Sequence, residues 1–180
     1  MSHSPHAAPL SRRGLLKTGL LGSLLLAGAG LGASLSGCSP STPARGFQVL
    51  REGDLAFLRA LIPVLLDGAV SSGRMPAAVA QTLAGIDYNL AAFSPAMRKL
   101  TVQLFDALAL PLTRGPLTGV WGDWEQATAG DMQAFLQRWQ NSSLDLLQMG
   151  HAALLQLVML AWYGQAEAWG HCGYPGPPQI

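Results

Sequence analysis

The residue types that most often carry chemistry are few in this chain, and they are not grouped. Of the four histidines, only His151 and His171 lie beyond residue 38. The spacings that commonly hold zinc or haem, such as His-x-x-x-His or Cys-x-x-Cys-His, do not occur. No nucleophile with a matching base and no phosphate-binding loop can be recognised. The sequence therefore predicts that the chain is not an enzyme and binds no cofactor or metal of its own.

The alternative is that the chain binds a metal ion or a haem. His151 lies in a long apolar segment, which favours a hydrogen-bonded core histidine, but Met149 or His171 could join it as a ligand. Cys172 follows His171 directly and is the only cysteine beyond residue 38. Since it has no partner for an internal disulfide, we expect its thiol to be buried or to face another protein.

The first 38 residues have the order of an export signal. Residues 11–17 read SRRGLLK and precede an uncharged run rich in Leu, Gly and Ala, as in a signal peptide. Arg12 and Arg13 resemble the twin-arginine motif, and the sequence LSGC that ends at Cys38 resembles a lipobox. We therefore expect a cleavable twin-arginine lipoprotein signal over residues 1–38, with a lipid on Cys38. An uncleaved membrane anchor is the alternative.

The part beyond the signal is sparsely charged. It has eight Lys and Arg against ten Asp and Glu, and charged residues make up 12% of the whole chain, compared with roughly 25% in ordinary soluble domains. This mildly acidic balance offers no basic patch for nucleic acid. Residues 39–53 open with SPSTPARG and predict a tether, and residues 54–180 predict one domain.

Apolar residues at three- and four-residue steps predict an all-α fold of about five helices. Pro63 should kink or shorten the first helix, and Pro111 should end the third. The segment from Pro111 to Glu125 is rich in Gly and Pro, and we expect it to be irregular. The predicted helix starts are Asp54, Pro76, Ser94, Thr128 and Ser142.

The fifth predicted helix, about residues 143–163, is the most apolar part of this domain. Between Ala152 and Tyr163 only Gln156 is polar, so we expect a central helix that its neighbours surround on all sides. A membrane span is the alternative, and Asp145 and His151 argue against it. From Gly170 onwards the sequence reads GHCGYPGPPQI, which predicts an extended Pro/Gly tail.

Several segments carry a family resemblance. They are DLAFLRALIPVLLDGAV at 54–70, LQLVMLAWYG at 155–164, Trp169, and GYPGPP at 173–178. Together they resemble the gluconate 2-dehydrogenase subunit 3 family, whose members are small twin-arginine-exported helical subunits of flavin-dependent oxidoreductases of the glucose-methanol-choline type. The resemblance implies a non-catalytic subunit that escorts, stabilises and anchors a sugar, sugar-acid or alcohol dehydrogenase. It places FAD in the large subunit and adds a membrane cytochrome subunit as a further expected partner.

Aromatic and proline residues near the C-terminus are the expected contacts with that large subunit. Aromatic anchors and a preformed proline-rich tail lose little conformational entropy on docking. The expected location is the periplasm, where the lipid on Cys38 holds the protein at a membrane. The predicted partner-binding residues are Trp162, Tyr163, Trp169, Tyr174, Pro175, Pro177 and Pro178.

Two other classes of function remain open at this stage. One is a stand-alone periplasmic lipoprotein that binds a small apolar ligand between its helices. The other is the metal or haem electron carrier that would use His151 with Met149 or His171. A large flavoprotein gene without a signal peptide in the neighbouring reading frame would favour the accessory subunit over both.

Overall fold

The computed structural model describes residues 42–176, except for the side chain of His171. The described residues belong to one compact unit. Three predicted functional residues of the signal, Arg12, Arg13 and Cys38, lie outside the described residues, as do Pro177 and Pro178 of the tail.

Seven α-helices and no strand occur between residues 42 and 176, so the all-α prediction is confirmed. Two short 3₁₀ turns, Ser72–Arg74 and Trp124–Gln126, join some of the helices. The helices are α1 Glu52–Leu65, α2 Met75–Ala92, α3 Pro95–Ala109, α4 Pro111–Thr118, α5 Ala129–Gln140, α6 Asp145–Tyr163 and α7 Ala166–Cys172.

The N-cap of the first helix is Arg51, three residues before the predicted Asp54. The backbone N–H and the Nε of Arg51 each donate to Asp54 Oδ2 at 2.9 Å. The same guanidinium also donates from Nη2 to Asp54 Oδ1 at 2.8 Å and from Nη1 to Asp106 Oδ1 on α3 at 2.7 Å. These bonds raise the pKa of Arg51, chiefly through Asp54 and despite partial burial. Arg51 thus fixes the start of α1 through Asp54 and links it to α3 through Asp106.

Two helices were not expected from the sequence. Pro111 was predicted to end the third helix, and it does, but it also begins α4 at once, because proline suits the first turn of a helix. Gly119 ends α4 with a left-handed φ of 85°. The predicted extended tail from Gly170 is wrong for its first residues, since α7 continues to Cys172. The structure thus has seven helices where about five were predicted.

An aromatic core cluster of five fully or almost fully buried rings packs around α1. Phe57 lies with its ring centroid 5.0 Å from Trp124 and 6.3 Å from Phe135, and Phe135 lies 4.9 Å from Trp139 in an edge-to-face contact. Both indoles are satisfied: Trp124 donates to the carbonyl of Leu108, and Trp139 to that of Leu117, each at 2.9 Å. The members of the cluster are Phe57, Phe105, Trp124, Phe135 and Trp139.

A carboxylate clamp holds the segment before α1. Asp87 on α2 is 5% exposed, and it accepts the backbone N–H groups of Gln48 (2.8 Å), Val49 (2.8 Å) and Leu50 (2.9 Å). Leu50 itself is fully buried, as is almost all of Ala44. Residues 44–50, which fall in the predicted tether, are therefore packed against the helical domain.

Candidate partner-docking surface

Helix α6 has two faces with different surroundings. Its inner face packs on α2 and α5, and small residues allow the close approach. A methyl group at Gly85 of α2 would lie 3.2 Å from the Cβ of Ala161, and one at Gly150 would come within 2.5 Å of a ring carbon of Trp139. The buried residues of this inner face are Leu154, Leu157, Val158, Ala161 and Trp162.

The other face, here called the outer stripe, points away from the domain and is exposed. Leu146 is 77% exposed, Met149 67% and Leu160 55%. The predicted central helix, surrounded on all sides, is therefore wrong: neighbours cover only one side of α6. The sequence could not show this, because apolar residues on both faces of a helix do not indicate which face another element covers. The outer stripe consists of Leu146, Met149, Ala153, Gln156, Leu160 and Tyr163.

No charged residue lies between Asp145 and Glu167. Within the described part of the chain, α6 is the one helix long and apolar enough to cross a membrane, judged by length and composition alone. Its inner face, however, supplies part of the core, so withdrawing it into a bilayer would expose Leu154 and Val158. A solvent-facing helix side without charge over this length is instead typical of the buried centre of a protein interface.

The outer stripe runs into an aromatic corner, which consists of Tyr163, Trp169 and Tyr174. Trp169 donates its indole N–H to the carbonyl of Tyr163 at 2.9 Å, and its ring packs edge-to-face on Tyr174 at 5.4 Å. The left-handed Gly173 ends α7 and turns the chain back, so that Tyr174 N–H reaches the carbonyl of Trp169. Tyr163 and Tyr174 remain 42% and 47% exposed.

The structure brings together four of the seven predicted partner-binding residues. Tyr163, Trp169 and Tyr174 form the aromatic corner, and Pro175 follows as an exposed residue. Trp162 lies elsewhere: it is only 5% exposed and belongs to the core. Its buried Nε1 has no hydrogen-bond acceptor among residues 42–176, a situation that costs about 1–3 kcal/mol in a folded protein.

Met149, His151 and Cys172 do not form a ligand set with other described side chains, and the side chain of His171, the remaining candidate ligand, lies outside the description. His151 is half-buried on α6, and burial lowers the pKa of its imidazole. Met149 lies on the outer stripe, and the Cys172 thiol is exposed. Among the described side chains of residues 42–176, which exclude that of His171, no group of three or more His, Cys, Asp or Glu could hold a metal ion.

Leu146 and Leu160 of the outer stripe were missed in the sequence analysis. The signal that could have found them is their spacing, since residues 146, 149, 153, 156, 160 and 163 alternate steps of three and four. That spacing is typical of a helix seam that packs against a second helix. Helix α6 has two apolar sides, and the other elements of this domain cover only one of them.

The chain matches no protein-family model, no curated protein and no solved structure.

Proposed function

We propose that this protein is the small, non-catalytic subunit of an exported flavin-dependent dehydrogenase, which it escorts, stabilises and holds at the membrane. The observation that carries the proposal is the outer stripe, an uncharged apolar helix side that leads into the aromatic corner. The resemblance to the gluconate 2-dehydrogenase subunit 3 family supplies the class of partner, a flavoprotein that oxidises sugars, sugar acids or alcohols.

The export signal supports the same assignment. A twin-arginine signal sends proteins across the membrane already folded, which suits a cargo that has bound its cofactor in the cytoplasm. A small helical subunit that carries such a signal can bring a flavoprotein without one, and a lipid on Cys38 keeps the pair at the membrane. A membrane cytochrome subunit is the electron acceptor that this arrangement suits.

The test compares two double variants in the native host. Leu146→Gln/Met149→Gln changes the outer stripe, whereas Tyr88→Gln/Leu112→Gln changes two residues that are 70% and 87% exposed on other helices. Purified by a tag, the wild type and the Tyr88/Leu112 variant should carry a protein with flavin absorbance, which mass spectrometry should identify as a dehydrogenase of the glucose-methanol-choline type. The outer-stripe variant should lose it by at least about tenfold, since a central interface residue contributes roughly 1–3 kcal/mol.

Equal recovery of the flavoprotein with both variants would remove the outer stripe from the interface. Unaided export of active dehydrogenase in cells lacking this chain would overturn the escort role. Deletion of residues 173–180, which starts after α7, tests the tail separately: undiminished recovery would limit the interface to α6 and α7.

A small apolar ligand is the second candidate, and one observation favours it. An open groove of about 560 Å³ lies between α1 and α2, and its lining is mostly apolar, with Arg59 and Ser72 beside Phe47, Pro63, Met75, Val79 and Leu83. A lipoprotein of this kind would be monomeric and would release a small molecule into organic solvent, detected by mass spectrometry of the extract. A purified protein that is ligand-free and bound to a dehydrogenase would exclude it.

A further inference from the structure

A second surface lies next to the point where the described chain begins, and it is positively charged, whereas the outer stripe has no charged residue. It is an open groove of about 360 Å³ between the segment before α1 and the first turns of α3. We call it the basic groove because three of its side chains are cations. Its lining includes Pro43, Val49, Arg51, Pro95, Arg98 and Lys99.

Two of the three cations are free to meet a ligand. Arg51 is held by Asp54 and Asp106 at 2.8 and 2.7 Å. Arg98 and Lys99 make no ion pair with any residue in the described range 42–176. Adjacent cations that have no acidic partner and line the same groove attract a negatively charged group.

The two cations share one side of α3 with Pro95 and Val102, which lie three or four residues from them and also line the groove. The exposed side chains of Met97 and Leu100 lie on the other side of the helix and do not line it. Cations gathered on one exposed helix side meet the phosphates of lipid headgroups.

The length of the tether limits where this surface can be. Thr42 is four residues from Cys38, and four residues of extended chain span at most about 14 Å. A lipid on Cys38 therefore keeps Pro43, which lines the basic groove, close to the headgroup layer. Other cations, such as Arg74 and Arg138, lie on elements that do not line this groove.

We propose that the basic groove binds the phosphate headgroups of an anionic bilayer, with Arg98 and Lys99 as the contacting cations. The inference rests on the proposed membrane tether and adds a second, non-covalent contact to it. A lipid and a basic patch together hold a protein at a membrane far better than either signal alone. The contact also fixes which side of the domain faces the bilayer.

The experiment uses the chain from Ser39 without a lipid, because the described domain contains its own buried core. Binding to vesicles of phosphatidylglycerol with phosphatidylcholine is measured by flotation and compared with phosphatidylcholine alone. We expect binding only to the anionic vesicles and its loss at high salt. Arg98→Gln/Lys99→Gln should weaken binding at least about tenfold. The matched control Arg74→Gln/Arg138→Gln removes the same charge and should leave it within about twofold.

Three results would overturn the proposal. They are equal weakening by both double variants, equal binding to neutral vesicles, and displacement of the anionic vesicles by inorganic phosphate at an ionic strength where sodium chloride has no effect. Displacement by inorganic phosphate would show that the groove binds soluble phosphate and not a bilayer. The mass of the mature N-terminal peptide, measured in parallel, reports lipidation of Cys38. If Cys38 carries no lipid, the proposed tether is wrong. The vesicle comparison still tests the basic groove, because it uses the chain without a lipid.

Discussion

The aromatic core cluster and the outer stripe of α6 are built from similar residue types, yet they lie in opposite surroundings. Phe57 and Phe135 of the core cluster are at most 1% exposed, whereas Leu146 and Met149 of the outer stripe are more than half exposed. Phe135 and Trp139 of the core cluster are four residues apart, as are Met149 and Ala153 of the outer stripe, so this helical spacing does not distinguish the two sets. The difference lies in what the rest of the chain can cover, and it separates the residues that stabilise the fold from those free to bind a partner.

The largest expected effect comes from removing a ring of the core cluster. Phe57→Ala should lower the free energy of unfolding by about 3–5 kcal/mol, because it deletes a buried ring and leaves a cavity. Leu160→Ala on the outer stripe should change it by no more than about 0.5 kcal/mol. Urea denaturation followed by circular dichroism measures both. A similar loss for the two variants would mean that the outer stripe is covered within the free protein.

A smaller effect is expected where α6 meets the core cluster. Gly150→Ala would place a methyl group 2.5 Å from a ring carbon of Trp139, and we expect a net loss of about 1–3 kcal/mol from overpacking. Gly170→Ala is the control, since nothing lies within 4 Å of the added group in α7. It should be neutral or stabilise by up to about 1 kcal/mol. Thermal unfolding compares the pair, and a stable Gly150→Ala would contradict this packing.

The two buried indoles on α5 and α6 offer a sharper comparison. Trp139→Phe deletes a 2.9 Å hydrogen bond to the Leu117 carbonyl, whereas Trp162→Phe deletes an N–H without an acceptor among the described residues. Both remove the same atoms, so Trp139→Phe should destabilise more, by about 1 kcal/mol. Chemical denaturation gives the difference. Equal losses would indicate that Trp162 is satisfied in solution.

The smallest expected effect is a dependence on pH from His151. Burial lowers its pKa below the usual 6.5, so the unfolded chain takes up the proton first as the pH falls. Stability should therefore be full above about pH 6.5 and decrease below it. His151→Gln should remove this part of the dependence, which urea midpoints at several pH values would show. An identical pH profile in the variant would assign the dependence to other groups.

The parts of the fold that the sequence predicts correctly are those fixed by local chemistry. Ser94 caps α3 by accepting from Met97 N–H at 3.3 Å, and Thr128 caps α5 by accepting from Asp131 N–H at 3.1 Å. Helix α4 was missed because Pro111 can both end one helix and begin the next. The choice between these two roles depends on tertiary packing, which brings α4 against α3 and α5.

The candidate surface was predicted in part, and the limit has a physical cause. Tyr163, Trp169 and Tyr174 stand out as aromatics near a Gly/Pro segment, and the structure brings them together. Trp162 is their neighbour in sequence but turns inward, because successive helical residues lie about 100° apart. Leu146 and Leu160 were not singled out, since their exposure depends on elements that are distant in sequence.

The clamp by Asp87 has a mechanical consequence. A force applied at Thr42 is resisted by three backbone hydrogen bonds to one buried carboxylate before it reaches α1. Because those bonds lead into the middle of a long helix, the load spreads into the domain body instead of peeling the first helix from its end. Such a restraint would let the domain bear tension applied at Thr42 without first unwinding α1.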